Sequence, residues 1–86
     1  MSEISRFFGI VIRIFYNDHA PPHVHAAYGD HEALFEIDTL KVMRGELPRR
    51  AHALVLEWAA LHREELAGDW KLARSGDARA RIAPLE

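Results

Sequence analysis

Eighty-six residues, 49% of them hydrophobic and 28% charged, suffice for one small domain over 1–86 and exclude a second. The chain has no cysteine, which excludes a disulfide framework and a thiolate metal site and predicts a cytoplasmic protein. Eleven Lys and Arg against thirteen Asp and Glu give a net charge of −2, which argues against a general nucleic-acid coat, and no apolar run reaches the ~20 residues of a membrane span.

Residues 1–8 carry Ile4, Phe7 and Phe8 among polar neighbours and read as an N-terminal arm held by a few apolar anchors. Residues 9–16 place Ile10, Ile12, Ile14 and Tyr16 on one face at period two, with Val11, Arg13 and Phe15 on the other, which predicts a strand that is central or covered on both sides. Asn17 and Asp18 end it as a turn, and Pro21-Pro22 stiffens the connection that follows. Residues 23–28 alternate Val24, Ala26 and Tyr28 against His23, His25 and Ala27, and 32–38 repeat the pattern around Ala33, Phe35 and Ile37. Gly29-Asp30 lies between them as a hairpin turn.

If both apolar sets share a face, two registers survive. One pairs Tyr28 with His31 and His23 with Glu36; the other pairs Tyr28 with Ala33 and His25 with Glu36. In either, Glu36 stands opposite a histidine.

A short strand is expected over 41–46, then a helix opened by Pro48 and running over 48–67. Gly68 would stop that helix, Asp69 would cap a second, shorter one to Ser75-Gly76, and 77–86 would be an irregular tail docked by Ile82 and Leu85. Ala51, Leu54, Val55, Trp58, Leu61, His62, Glu65 and Leu66 fall on one helical stripe. His62 and Glu65, spaced i, i+3 on it, need partners: each other, Tyr16, or the histidine segment. The predicted class is α+β, a small antiparallel sheet of three or four strands over 9–46, packed by one long helix and a short C-terminal helix within 48–76.

Three of the six histidines, His19, His23 and His25, fall within seven residues. Neutral imidazole is a common ligand for divalent transition metals, so these three are candidate metal ligands, with Asp18, Glu36, His62 or Glu65 available to complete a site. A purely structural arrangement also fits, in which Asp18 and His19 cap the turn while His23 and His25 pair with Glu36 and solvent. A third reading uses His19, His23 and His25 as general acid and base on a phosphodiester, with Arg13, Arg44 or Arg49 stabilising charge. No nucleophile with its base and no phosphate-cradling glycine loop accompanies them, so an enzyme is not favoured.

Gly9-Ile10-Val11-Ile12 followed by Tyr16-Asn17-Asp18-His19-Ala20-Pro21-Pro22-His23-Val24-His25-Ala26 resembles the bacterial and archaeal domain-of-unknown-function family number 4160. Gly45, Leu47-Pro48, Trp58, His62-Arg63, Leu66, Trp70 and Ile82-Ala83-Pro84-Leu85 continue the likeness almost to the end of the chain. The resemblance implies a partner: members are commonly encoded beside a second small family of unknown function, number 2442, in toxin-antitoxin-like pairs. The expectation is therefore a regulatory or antitoxin-like subunit that binds the product of an adjacent gene, or itself as a homodimer, through an open sheet face or edge strand. The alternatives are a small ribonuclease toxin that uses the histidines, with or without metal, and a metal-binding protein. RNA is the less favoured partner and no membrane contact is expected.

Overall fold

A computed structural model describes residues 2–86. Five strands, β1 (Glu3–Phe7), β2 (Ile10–Arg13), β3 (His23–Tyr28), β4 (His31–Glu36) and β5 (Val42–Glu46), form one antiparallel meander in chain order. Two helices follow, α1 (Arg49–Leu61) and α2 (Arg63–Ser75). The α+β class stands. The sheet has five strands where three or four were expected, and the helical region divides differently.

The additional strand is β1, in the segment expected to be an arm. Phe8 and Gly9, at φ 48° and 82°, make a two-residue turn with positive φ at both positions, which folds β1 back onto β2. A bulge between Glu3 and Ser5 leaves Ile4 as the extra residue and buries both Ile4 and Ser5, so the alternation that marks a strand is absent. β2 is shorter than the expected 9–16, ending at Arg13. Gly29, at φ 58°, makes the β3–β4 turn a two-residue one. Tyr28 pairs with His31 and His23 with Glu36, and the register that would set His25 against Glu36 does not occur.

On β5, Leu34 pairs with Arg44 and Phe35 with Val42, so Met43 is the bulged residue. Gly45, at φ 73°, is needed there because a Cβ would collide with the Glu32 carbonyl oxygen.

The helices cover one face of the sheet. Ile10, Ile12, Val24, Ala26, Ala33 and Phe35 are buried against Ala51, Val55 and Trp58 of α1 and Leu66, Trp70 and Ala73 of α2. Instead of one helix over 48–67, the helix stops at Leu61, and His62, at φ −123° and ψ 26°, separates α1 from α2. The break turns Leu66, Trp70 and Ala73 toward the core and leaves Leu61, on the predicted stripe, 67% exposed. Gly68 and Asp69, expected as stop and cap, lie inside α2, which closes on left-handed Gly76, the end expected for the second helix. No helix among the described residues is long and apolar enough to cross a membrane.

Asp69 is buried and accepts the Ala80 amide at 2.8 Å. Burial pushes its carboxyl up, partly offset by that amide and by the Arg79 charge. The irregular tail 77–86 then runs back across the fold. The Ile82 amide donates to the Ile4 carbonyl at 2.8 Å, and Trp58 Nε1 donates to the Ala83 carbonyl at 2.8 Å. Arg81 Nη1 lies 2.9 Å from Glu3 Oε2, and Arg6 Nη2 lies 2.8 Å from Glu3 Oε1.

Two predictions concern this packing. Trp58 is fully buried, with its ring 5.3 Å from that of Phe7, so Trp58→Ala should lower unfolding free energy by about 3–5 kcal/mol in a urea titration, a large part of the total for a small domain. Hydrogen bonds from Arg6 and then Arg81 hold the Glu3 carboxyl at about 2, below its ordinary 4.5. The folded state therefore binds that proton less readily than the unfolded chain. The contribution of Glu3 should be complete above pH 4.5 and disappear as the pH falls through 2. Glu3→Gln should lower the thermal midpoint at pH 7 and make little difference at pH 2, with the wild-type midpoint titrating between those limits.

Candidate metal centre

The site is built at one end of β3. His23 and His25 are two residues apart on the same strand and project to the same side, while the loop from β2 carries Asp18 back to meet them. Asp18 Oδ2 lies 3.0 Å from His23 Nε2 and 2.9 Å from His25 Nε2. The three ligand atoms all lie within 4.8 Å of one another. Donors held about 2.0–2.1 Å from a tetrahedral zinc ion stand about 3.3 Å apart, so the cluster is close to a coordinating arrangement.

The loop itself is anchored on both sides. The Asn17 amide donates to the Ala73 carbonyl of α2 at 3.1 Å, the Ile37 amide donates to the Pro22 carbonyl at 2.9 Å, and the Ala20–Pro21 bond is cis. Aromatic rings wall the imidazoles: Trp70 stands 5.2 Å from His23, and Phe15 meets His25 edge-on at 4.4 Å.

His23 Nδ1 lies 2.8 Å from the Pro21 carbonyl oxygen, which can only accept, so Nδ1 carries a hydrogen. Its Nε2 faces a carboxylate oxygen, a second acceptor. A neutral ring protonated at Nδ1 would point a lone pair at Asp18. Two arrangements satisfy the geometry: a proton held between Nε2 and the Asp18 oxygen, or a cation shared by a neutral imidazole and a carboxylate. A backbone carbonyl on the far nitrogen is the support that metal-bound histidines ordinarily have.

His25 Nδ1 is buried without a hydrogen bond, and Glu32 Oε2 lies 3.6 Å from it. Burial raises the Asp18 carboxyl, but the His25 hydrogen bond, the His19 amide and the charges of both imidazoles together hold it below its ordinary value. The cluster opens onto a groove of about 300 Å³, whose other walls include His19, Leu34, Met43 and Arg44.

The remaining candidates are distributed elsewhere. His19 has an exposed ring and contributes its amide, which donates to Asp18 Oδ1 at 2.8 Å, but stands outside the three-residue cluster. Glu36 is opposite His23 in the sheet, yet its carboxylate accepts the Thr39 hydroxyl at 2.5 Å and not an imidazole. His62 and Glu65 pair with each other at 2.6 Å between the helices, beside Trp58, and not with Tyr16 or the histidine segment. Arg13 sits directly opposite His25 on β2, and Arg49 is exposed at the start of α1, away from the groove. Glu32 was missed by sequence reasoning. The two-residue turn supplies its signal, since that register pairs Glu32 with Ala27 and so sets it diagonally from His25 on the same face.

No curated protein and no solved structure matches the chain. A family model described as domain of unknown function DUF4160 matches residues 9–71, which include every residue of the cluster and both helices up to Lys71. The chain belongs to that family.

Proposed function

We propose that this chain is a metal-binding protein that holds one divalent transition-metal ion on Asp18 Oδ2, His23 Nε2 and His25 Nε2. The observation that carries the proposal is the pair of acceptors facing the two nitrogens of His23, with Nδ1 committed to the Pro21 carbonyl and Nε2 directed at Asp18. Two imidazoles and one carboxylate suit zinc, iron(II) or nickel better than the hard ions magnesium and calcium. Three protein ligands leave at least one coordination position to an outside molecule, the pattern of sites that act on or bind something rather than only brace a fold.

A regulatory role in a cytoplasmic two-gene module is a second reading, and β5 favours it. All five of its residues are exposed, its outer edge is unpaired in the sheet, and Val42 and Met43 add apolar surface. Such an edge is a template for a strand from an adjacent-gene partner or a second copy. Metal occupancy at the other side of β4 would then be the property regulated.

Titration calorimetry with zinc, nickel and copper checks the metal reading. Wild type should bind one equivalent with a dissociation constant in the micromolar range or tighter, and Asp18→Asn should weaken it by about tenfold or more, since even an outer-shell partner of a ligand is worth that much. His23→Ala/His25→Ala should abolish binding. Affinity should also fall below about pH 6, where protons compete for imidazole nitrogen. Equal millimolar binding by wild type and the double variant would leave a proton shared by His23 and Asp18 as the explanation of the cluster.

A further inference from the structure

The sheet places two unpaired cations beside the cluster. Reading across the register, Arg13 pairs with His25, His25 with Leu34, and Leu34 with Arg44, so the four residues form one row over β2, β3, β4 and β5. Residues paired in this way project to the same face. His25 is therefore adjacent to Arg13 on one side and two strand spacings, about 10 Å of backbone, from Arg44 on the other. The bulge on β5 brings Met43 and Arg44 together to the groove wall, consistent with the way bulges re-aim side chains next to functional sites. Neither arginine pairs with a carboxylate among the described residues.

We infer that the metal centre, on the reading proposed above, takes a phosphate monoester as its outside ligand, with one phosphate oxygen on the metal and Arg44 and Arg13 facing the others. Charge selects the class. Asp18 leaves a divalent ion with one net positive charge and Arg44, on the groove wall, adds a second, so a dianion balances the groove; Arg13 and Glu32, which flank His25 outside the groove wall, offset each other. A guanidinium offers paired N–H donors that match two phosphate oxygens, and it keeps its charge at any physiological pH. Leu34 and Met43 keep the floor of the groove apolar, which strengthens attraction between these charges relative to open water.

The test uses the full chain loaded with cobalt(II), whose visible absorption reports its coordination shell, and phenyl phosphate as the probe. Wild type should take up cobalt and change its spectrum on saturable addition of phenyl phosphate. Arg13→Gln/Arg44→Gln should take up cobalt at least as tightly, since two positive charges are removed from beside the ion, and bind phenyl phosphate about tenfold or more weakly, as expected when charge-assisted hydrogen bonds are lost. Acetate and the dinucleoside monophosphate UpU, each singly charged, should bind more weakly than phenyl phosphate. Cobalt uptake with equal phenyl phosphate affinity in wild type and double variant would overturn the inference and leave the metal reading intact. Equal or tighter binding of acetate would overturn the phosphate class, and of UpU the monoester. Failure of wild type to take up cobalt would overturn both readings together.

Discussion

The register between β3 and β4 is the constraint from which the site follows, and it is set by a turn of only two residues. Gly29 supplies the positive φ that a right-twisted hairpin needs at that position, so Tyr28 meets His31 and each later pair is fixed in sequence. A slip of one residue would send Val24 and Ala26 out of the core and bring His23 and His25 into it. With the register held by burial of Val24, Ala26, Ala33 and Phe35, the two histidines have no alternative to the opposite face. The row from Arg13 to Arg44 is a consequence of the same pairing carried across neighbouring strands.

Asp18 completes what the sheet begins. A single carboxylate oxygen within 3.0 Å of two ring nitrogens concentrates negative charge where two imidazoles converge, and its other oxygen is fixed by the His19 amide. The loop that carries Asp18 would have little reason to hold that position on its own. It is tied to α2 through Asn17 and Ala73 and to the end of β4 through Pro22 and Ile37. The support of the cluster is therefore built from backbone groups, which cannot rotate away as side chains can. Trp70 links the cluster to the core directly, because the ring that faces His23 is itself nearly buried in α2.

Small size explains the long return of the tail. A chain of this length buries a modest fraction of its surface, and Ile82, Ala83 and Arg81 extend the core by tying the last segment to β1 and to Trp58. The indole N–H of Trp58 requires an acceptor once buried, and the Ala83 carbonyl provides it. The division of the helical region serves the same end: with His62 outside both helices, α1 and α2 each present their own short apolar face to the sheet.

The sequence by itself determined the class, the turn at Gly29-Asp30, the strand faces and the concentration of chemistry in residues 17–29, because period-two alternation and turn residues are local properties. It also indicated that His62 and Glu65 would need partners, and each other was among those it allowed. Tertiary structure decided the rest. β1 was hidden because its bulge buries consecutive residues, and the helix break at His62 was hidden because no proline or glycine marks it. Gly68 and Asp69 resembled a helix end, yet packing of Trp70 and Ala73 and the bond from Asp69 to Ala80 keep both inside α2. Among the carboxylates that could have joined the histidines, Asp18 prevailed over Glu36. Which of two acids reaches an imidazole depends on how a loop is anchored by residues far along the chain, and here those anchors, Ala73 and Ile37, lie outside the motif altogether.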